Sequence, residues 1–275
     1  MGALLGLLSA LMIGLSDLFG RKIVRVAGVV TGSLTLQVAA MSTALLSVVV
    51  FGGVFAAHDV LIGGLSGICM GVALGAYYRG ITVSSATIVS PVVATLSAII
   101  PFAYAVVRGA SPTLLAAIGS LIAIVGLVVI TTGGGVVTFS AKKGVWWAVA
   151  SGVAYGVAFA VVLEANDDAG SWPAVWQRVG GATVLFLAVQ HRSGTALPPK
   201  GSRVSGLLAG VFAGLCSVAY LAGIRVDASA TVITASTFPA ASVVVGKLAF
   251  DDPVSRRQAV GLVVVLLGVV AVALG

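Results

Sequence analysis

Two charged residues stand inside long apolar runs, and their side chains are the first candidates for chemistry. Asp17 could hold a proton or a cation, or bind the amine of a ligand. Its structural alternative is an ion pair with Arg21, one helical turn later. Arg178 could bind an anionic group of a ligand, pair with Glu164, or extend its guanidinium group to a membrane surface. Because a charge within an apolar run is costly, each of these residues predicts a partner or a function.

Hydroxyl groups and prolines are concentrated in two other apolar segments, SSATIVSP at 84–91 and SATVITASTFP at 229–239. A proline inside a helix removes a backbone donor and kinks the helix, which frees carbonyl groups. Freed carbonyls and hydroxyls can bind a polar ligand where they line a cavity. The alternative is a packing kink in which each hydroxyl bonds a carbonyl of the preceding turn. The candidate binding residues in these segments are Ser90, Pro91, Thr234, Thr237 and Pro239.

Four polar side chains elsewhere are candidates for the wall of the same cavity. They are Gln37, Tyr77, Tyr155 and Tyr220. Tyr77 and Tyr220 occupy similar places in two different apolar runs, which favours a shared role. Tyrosines also collect where a membrane meets water, and that is the place we expect for Tyr78 and Tyr104.

Patterns typical of catalysis or of metal and nucleotide binding do not occur in the sequence. The two histidines, His58 and His191, lie near the ends of different apolar runs, and neither belongs to an HExxH pattern. The glycine run at 133–135 is not followed by the lysine and hydroxyl residue of a phosphate-binding loop. We therefore expect no enzymatic activity, no metal and no cofactor.

The composition predicts that these side chains are carried by membrane helices. The chain of 275 residues is 59% hydrophobic and 8% charged, with a mean hydropathy of +1.18. A soluble domain carries about 25% charged residues. Windows of about 20 apolar residues predict ten transmembrane helices. These cover residues 2–20, 28–52, 60–79, 83–107, 113–132, 144–164, 171–190, 203–223, 228–248 and 257–274. The expected fold is an all-α polytopic membrane protein.

Lysine and arginine residues are distributed unevenly between the two sides of the predicted bundle. Twelve lie on the side reached after the first span, whereas two, Arg108 and Arg225, lie on the other. By the positive-inside rule the first side is cytoplasmic, and both termini lie outside. The net charge of +7 is carried at the ends of apolar runs rather than in one basic stripe, so it predicts contact with membrane lipid and not with nucleic acid. We expect a bacterial-type inner membrane.

The two halves of the sequence, residues 1–136 and 137–275, resemble each other. The recurring pieces are Ala76-Tyr77 with Ala219-Tyr220, and Ser85-Ala86-Thr87 with Ser229-Ala230-Thr231, at separations of 143 and 144 residues. Two copies of an odd number of helices must be inserted in opposite orientations. Inverted repeats of this kind recur in secondary transporters, where the substrate site lies near the midplane between the halves. The sequence therefore predicts two inverted five-helix repeats.

Four segments carry a recognisable family pattern. They are GLSDLFG at 14–20, SSATIVSP at 84–91, SATVITASTFP at 229–239 and DDPVS at 251–255. Together they make the chain similar, over nearly its whole length, to EamA-type members of the drug/metabolite transporter superfamily. That family usually has Gly-Glu before the last helix of each repeat, whereas Asp252 and Ala110 stand at those places here. The resemblance implies the ten-helix inverted-repeat fold and the transport of small metabolites or drugs.

The function that the sequence favours is a secondary transporter that moves a small polar metabolite or drug across the plasma membrane by alternating access. Proton coupling through Asp17 and exchange without protons are both open alternatives. Two other classes of function compete with transport, namely a non-transporting membrane subunit or lipid scramblase, and an intramembrane enzyme. The expected partners are a small-molecule substrate and membrane lipid, and the oligomeric state is left open.

Overall fold

The computed structural model describes residues 1–84, 86–109, 111–132, 139–191, 195–235 and 255–274, with the isolated positions 237, 238, 241, 244 and 248. All regular secondary structure in these residues is helical. Several residues that the sequence singled out lie outside the described part of the chain. These are Pro239, Asp252, Ala110 and the glycine run at 133–135.

Ten α-helices and one short 3-10 helix make up the described part of the chain. The α-helices are α1 Gly2–Ala27, α2 Val29–Phe51, α3 Ala57–Val83, α4 Ala86–Val107, α5 Leu114–Thr132, α6 Phe139–Val162, α7 Trp172–His191, α8 Arg203–Val226, α9 Ala228–Ala235 and α10 Arg256–Leu274. The 3-10 helix Lys200–Ser202 directly precedes α8. The bounds agree with the predicted spans to within five residues, except that α1 extends seven residues further; the predicted span 228–248 is described continuously only as far as Ala235.

Five of these helices are long and apolar enough to cross a membrane. The five segments are Gly2–Ala27, Val29–Phe51, Ala57–Val83, Lys143–Val162 and Lys200–Val226. Large apolar side chains are exposed along them, for example Leu46 at 62% and Leu61 at 59% of their full area. Exposed apolar surface of this extent is expected where the surrounding solvent is lipid. The structure is therefore that of a multi-pass membrane protein.

A single glycine joins the first two helices. Gly28 has a φ of +80°, a conformation that residues with a β-carbon rarely adopt, and its N–H donates to the Val24 carbonyl at 3.0 Å. Because the connector has no other residue, α1 and α2 must lie side by side, and they pack against each other.

Hydrogen bonds tie the connectors after α2 and α6 together at one end of the bundle. The Val54 N–H donates to the Asp168 carbonyl at 2.8 Å. The backbone N–H and the side-chain amide of Asn166 donate to the two carboxylate oxygens of the fully buried Asp59, at 2.9 and 3.0 Å. The His58 Nδ1 atom lies 3.8 Å from the same carboxylate, and the hydrogen bonds fix the start of α3 to the connector after α6.

Two further hydrogen bonds show which connectors lie beside the end of α8 and the start of α2. Arg225, at the end of α8, donates to the Gly170 carbonyl at 2.8 Å, so α8 ends beside the connector between α6 and α7. The Thr31 hydroxyl, at the start of α2, donates to the Thr195 carbonyl at 2.8 Å, so the start of α2 lies beside the connector after α7. The connectors after α2, α6 and α8 therefore share one end of the bundle, and those after α1 and α7 share another.

The packing partners of the helices follow a regular rule. The contact of α1 with α8 corresponds to that of α6 with α3, because each helix number differs by five. In the same way the contact of α2 with α8 corresponds to that of α7 with α3, and the contact of α1 with α9 corresponds to that of α6 with α4. The contacts of α2 with α7 and of α5 with α10 convert into themselves.

Glycines allow two of these contacts to be close. α3 carries glycines at 63, 67 and 71, and α8 carries glycines at 206, 210 and 214, which are 143 residues later. A β-carbon at Gly67 would overlap the Gln177 carbonyl oxygen in α7, and one at Gly210 would lie 2.6 Å from the Leu36 carbonyl oxygen in α2. Small residues spaced by four are the usual means by which membrane helices approach closely.

The structure corrects two expectations about where polar side chains lie. Tyr78 is 2% exposed and packs in the interior, so its predicted place at a membrane surface is wrong. The predicted alternative pairing of Arg178 with Glu164 does not occur, because Glu164 pairs with Arg108 at 2.8 Å. In both cases the sequence gives the depth along a helix, whereas the direction of the side chain depends on which neighbours the helix has.

Candidate functional site

A cavity lies between helices of both halves of the chain. Most of its wall is apolar, but polar and charged side chains project into it from α1, α2, α3, α6, α7 and α8. The polar lining residues are Ser9, Ser16, Asp17, Gln37, Tyr77, Tyr78, Tyr155, Gln177, Arg178, Cys216, Ser217 and Tyr220. The predicted candidates Asp17, Gln37, Tyr77, Tyr155, Arg178 and Tyr220 are thus brought together around one space.

Asp17 is the acidic group of this cavity. It lies ten residues before the end of α1, about 15 Å along the helix axis, and is 7% exposed. Arg21 donates to its Oδ2 atom through Nε at 2.9 Å and Nη2 at 2.6 Å. The Tyr77 hydroxyl donates to the same oxygen at 3.1 Å and meets the Ser90 hydroxyl at 2.9 Å. The ion pair with Arg21 therefore forms, but inside the bundle rather than at its surface.

Arg178 is the basic group, and neutral atoms surround it. It is 3% exposed, and its Nη1 atom donates to the Gln37 Oε1 atom at 2.9 Å. Its Nη2 atom donates to the Ala213 carbonyl at 2.7 Å and to the Ser217 hydroxyl. Gln37 occupies approximately the position in the first half that Arg178 has in the second. Gln37 and Arg178 therefore meet directly where α2 packs against α7.

A series of hydrogen bonds connects Ser217, which contacts Arg178, to residues of three neighbouring helices. The Ser217 hydroxyl donates to Gln177 Oε1 at 3.2 Å, and Gln177 Nε2 donates to the Ser66 hydroxyl at 2.7 Å. Ser66 in turn donates to the Ala158 carbonyl at 2.7 Å. This network fixes α3, α6, α7 and α8 around the guanidinium group.

Several polar atoms of the cavity wall have no partner within the described residues. They are Asp17 Oδ1, Gln37 Nε2, Arg178 Nε and the Tyr220 hydroxyl. A buried polar atom without a hydrogen bond costs about 1–3 kcal/mol, so such atoms are normally satisfied by protein, water or a ligand. Four such atoms line this one space, which makes it the candidate binding site.

Aromatic rings form the apolar part of the wall. Phe159 lies 5.2 Å from Tyr220 and 6.0 Å from Tyr155, measured between ring centroids. Tyr77 and Tyr78 form a second pair at 5.3 Å. The rings offer a flat apolar surface in the same cavity as the side chains of Asp17 and Arg178.

The hydroxyl candidates have different surroundings. Ser90 is buried and contacts Tyr77, whereas the Thr234 hydroxyl donates to the Ala230 carbonyl at 2.8 Å, within its own helix. The Thr237 hydroxyl donates to the Thr234 carbonyl at 2.6 Å. None of these three residues is among the described residues that line the cavity. Pro91 lies within α4, which runs unbroken through it.

A groove lies next to the cavity, at the end of the bundle that holds the connector between α6 and α7. Its charged residues are Arg108, Glu164, Asp167 and Arg225. Glu164 accepts hydrogen bonds from the Tyr104 hydroxyl at 2.8 Å and from Arg108, which together lower the pKa of its carboxyl group. Leu221 is the one described residue that lines both the groove and the cavity.

The sequence did not indicate every residue of the cavity. Ser9, Gln177, Ser217, Cys216 and Phe159 were missed, because small polar and aromatic residues are common in membrane helices and carry no signal alone. Gln177 could have been found from its position beside Arg178. Within the described residues there is no group of three His, Cys, Asp or Glu side chains that could hold a metal ion.

The fold has a counterpart among solved structures. One crystal structure, described only as that of a protein, superposes with a TM-score of 0.75 at 16% sequence identity, covering 99% of this chain and 98% of the other. That likeness concerns the fold alone. A comparison with curated proteins gave no match.

The helices and their apolar surface define a multi-pass helical membrane protein. Residues 142–274, nearly all of the second half, match the model of the EamA-like transporter family, which is part of the drug/metabolite transporter superfamily. The resemblance predicted from the sequence is confirmed by this match. The coarse function that follows is that of a membrane transporter of the drug/metabolite type.

Proposed function

We propose that the chain is a secondary transporter that carries a small polar metabolite or drug across the cell membrane by alternating access. The substrate binds in the cavity between two inverted five-helix repeats, residues 1–136 and 137–275. Ten membrane crossings follow if each predicted span crosses once. Both termini then lie outside a bacterial-type inner membrane.

The packing of the helices supports the inverted repeat. Contacts that convert into one another by adding or subtracting five helix numbers are expected of two similar halves related by a pseudo-two-fold axis. The glycines at 67 and 210 occupy corresponding places in α3 and α8, and each faces a carbonyl of the corresponding partner helix. The axis passes where Gln37 meets Arg178, which is also the wall of the cavity.

The observation that carries the proposal is the set of unpartnered polar atoms around the cavity. A scaffold subunit or a scramblase has no need to keep Asp17, Gln37 and Arg178 incompletely bonded in a closed space. A carrier does, because its site must release water and take up substrate in each cycle. Asp17 is the proposed proton-coupling group, since it is the one acidic side chain among the described lining residues.

The test uses the two native cysteines, Cys69 and Cys216. Cys216 lines the cavity and is buried, so a Cys69→Ala variant leaves one reporter thiol there. In vesicles of known orientation, a membrane-impermeant thiol reagent should label Cys216 from each side, with rates that change in opposite directions when a transported compound is added. The Cys69→Ala/Cys216→Ala variant is the matched control for background labelling.

Failure of this test has a clear form. If Cys216 is never labelled from either side under any condition that leaves the protein folded, the cavity does not open and a non-transporting role replaces transport. Labelling from one side only, unaffected by any compound, would also argue against alternating access.

A further inference from the structure

We infer that the cavity is built for a monovalent organic anion, a carboxylate attached to an apolar body, and that Arg178 and Gln37 are the groups that bind the carboxylate. The inference rests on the proposed function, and it specifies the class of substrate. It is argued from the balance of buried charge, from the free donors, and from the shape of the apolar wall.

The charges around the cavity do not balance within the protein. Asp17 and Arg178 are the charged residues among the described lining residues, and Asp17 is already paired with Arg21 through two hydrogen bonds. Arg178 has no carboxylate partner among the residues that the structure describes, and its hydrogen bonds all go to neutral oxygen atoms. A buried guanidinium group with one uncompensated positive charge favours an anion beside it.

The donors left free at Arg178 suit a carboxylate. The Gln37 Oε1 atom accepts from Arg178, and this bond fixes the orientation of the amide, because the reversed amide would place donors against donors. The Gln37 Nε2 atom is then held beside the guanidinium group with no partner in the described residues, and Arg178 Nε is also without one. Both are N–H donors available to an anionic group beside Arg178, and a carboxylate accepts charge-assisted hydrogen bonds of this kind.

The remaining wall fits an apolar body rather than a second charged group. Phe159, Tyr155 and Tyr220 form a contiguous set of rings, and Leu36 and Leu74 add aliphatic surface. The charge of the acidic side chain of the cavity, Asp17, is balanced by Arg21, although its Oδ1 atom has no partner in the described residues. The charge left uncompensated around the cavity is therefore that of Arg178, which favours an anion over an amine.

The test compares four probes of the same size on the purified protein. These are 3-phenylpropionate, 3-phenylpropanamide, 3-phenylpropylamine and phenylalanine, each titrated by calorimetry and by thermal unfolding. The anion should bind at least tenfold more tightly than the amide, the amine and the zwitterion. A parallel titration with phosphatidylglycerol separates a free carboxylate from an anionic lipid headgroup, and the lipid should not compete with 3-phenylpropionate.

Gln37→Glu is the decisive variant. It places a carboxylate next to the Arg178 guanidinium group and so supplies the missing anion from within the protein. The variant should fold with unchanged or higher thermal stability and should bind 3-phenylpropionate at least tenfold more weakly. Gln190→Glu, the same change at an exposed position at the end of α7, is the matched control and should bind as the unmodified protein does.

Several results would overturn the inference. Among the probes, these are equal binding of 3-phenylpropionate and its amide, tighter binding of phenylalanine or of the amine, or no binding of any probe up to 10 mM (about 2.7 kcal/mol). Displacement of 3-phenylpropionate by phosphatidylglycerol would also overturn it, as would undiminished binding of 3-phenylpropionate by Gln37→Glu. Binding with the expected preference but without uptake into vesicles would leave the anion site intact and reject transport. Uptake of a compound into vesicles with no preference for anions would leave transport intact and reject the anion site.

Discussion

Asp17 and Arg178 show two ways in which a buried charge is accommodated. Asp17 is held by a cation on its own helix and by a tyrosine of α3, whereas Arg178 is held by an amide, a hydroxyl and a backbone carbonyl. An ion pair cancels charge, but neutral acceptors only solvate it. The charge of Asp17 is therefore balanced within the protein, whereas no described residue balances the charge of Arg178.

The first prediction concerns Asp17→Asn. Loss of the carboxylate removes the group proposed to exchange a proton and leaves the Arg21 guanidinium group without this anion. We expect uptake into vesicles at a fixed membrane potential to lose its dependence on pH, with at least a tenfold fall in rate. Asp167→Asn, a change of an exposed acid, is the control and should keep the pH profile.

The outcome that contradicts proton coupling is an unaltered pH profile in Asp17→Asn. In that case the role of Asp17 is structural, through its hydrogen bond with Tyr77 that joins α1 to α3, and exchange without protons is the remaining mode. Measuring uptake of the same compound by both variants over the same pH series decides between these possibilities.

At the residue scale, the polar residues Asp17, Gln37 and Arg178 that the sequence singled out line the cavity, whereas the hydroxyl residues Ser90, Thr234 and Thr237 do not. Asp17, Arg178 and Gln37 were found because a polar side chain inside an apolar run must be explained. Thr234 was not informative, because a threonine in a helix satisfies its own hydroxyl with the preceding turn. The direction of each hydroxyl depends on tertiary neighbours that the sequence does not name.

The helices are held together by close backbone approach as much as by side chains. The glycines at 63, 67 and 71 of α3 meet the backbone of α7, and those at 210 and 214 of α8 meet the backbone of α2. Gln37 and Arg178 lie within hydrogen-bonding distance where α2 and α7 pack together. Gly181 adds to this, because a β-carbon there would lie 2.5 Å from Gln37 Nε2. The positions of these helices therefore set the geometry of the cavity.

The second prediction compares Gly67→Ala with Gly64→Ala in the same helix. The added methyl group at 67 overlaps the Gln177 carbonyl, whereas nothing lies within 4 Å of a β-carbon at 64. We expect Gly67→Ala to lower the free energy of unfolding by about 1–3 kcal/mol through overpacking. Gly64→Ala should leave it unchanged or raise it by up to about 1 kcal/mol, because alanine favours helix. Denaturant unfolding in detergent measures both.

If both variants were equally stable, α3 and α7 would not be in the close contact described. Gly210→Ala in α8 should resemble Gly67→Ala, since the two glycines occupy corresponding places in the halves. A large difference between these two would argue against the pseudo-symmetry.

At the element scale, apolar run length was a sufficient guide to the helices. The main difference was at the end of α1, where the predicted span stops at residue 20 although the helix continues to Ala27. Arg21 can remain in the helix because Asp17 neutralises it one turn earlier. Which helices pack together was not predicted, because contacts depend on the faces that small residues leave open.

For the whole molecule, the two first connectors of the halves are the sharpest test of inversion. One lies at Gly28 between α1 and α2, and the other lies at 163–171 between α6 and α7. In parallel halves they would face the same side of the membrane, whereas in inverted halves they face opposite sides. Their hydrogen bonds already link them to different sets of connectors.

The third prediction places single cysteines at Val26 and Asp167, both exposed, in the Cys69→Ala/Cys216→Ala background. In intact cells, an impermeant maleimide should label Asp167→Cys at once and Val26→Cys only after the membrane is permeabilised. Labelling of both from the same side would reject the inverted repeat. Labelling with the sides reversed would reject only the orientation given by the positive-inside rule.

At the scale of the molecule, pieces that recur at separations of 143 and 144 residues predicted two similar halves with a cavity between them, but not which helices pack around it. The space between them arises from helix packing, which leaves room where aromatic rings, a glutamine and an arginine meet. That arrangement depends on all the contacts together and cannot be assigned from any one segment.

Leu221 lies where the cavity and the charged groove come together. Its side chain, 3% exposed, belongs to the walls of both the cavity and the charged groove beside it. Within the described residues it is the side chain that the two spaces share. Its bulk therefore helps to keep the charged groove apart from the space that holds Asp17 and Arg178, and a smaller residue there would bring the two closer to joining.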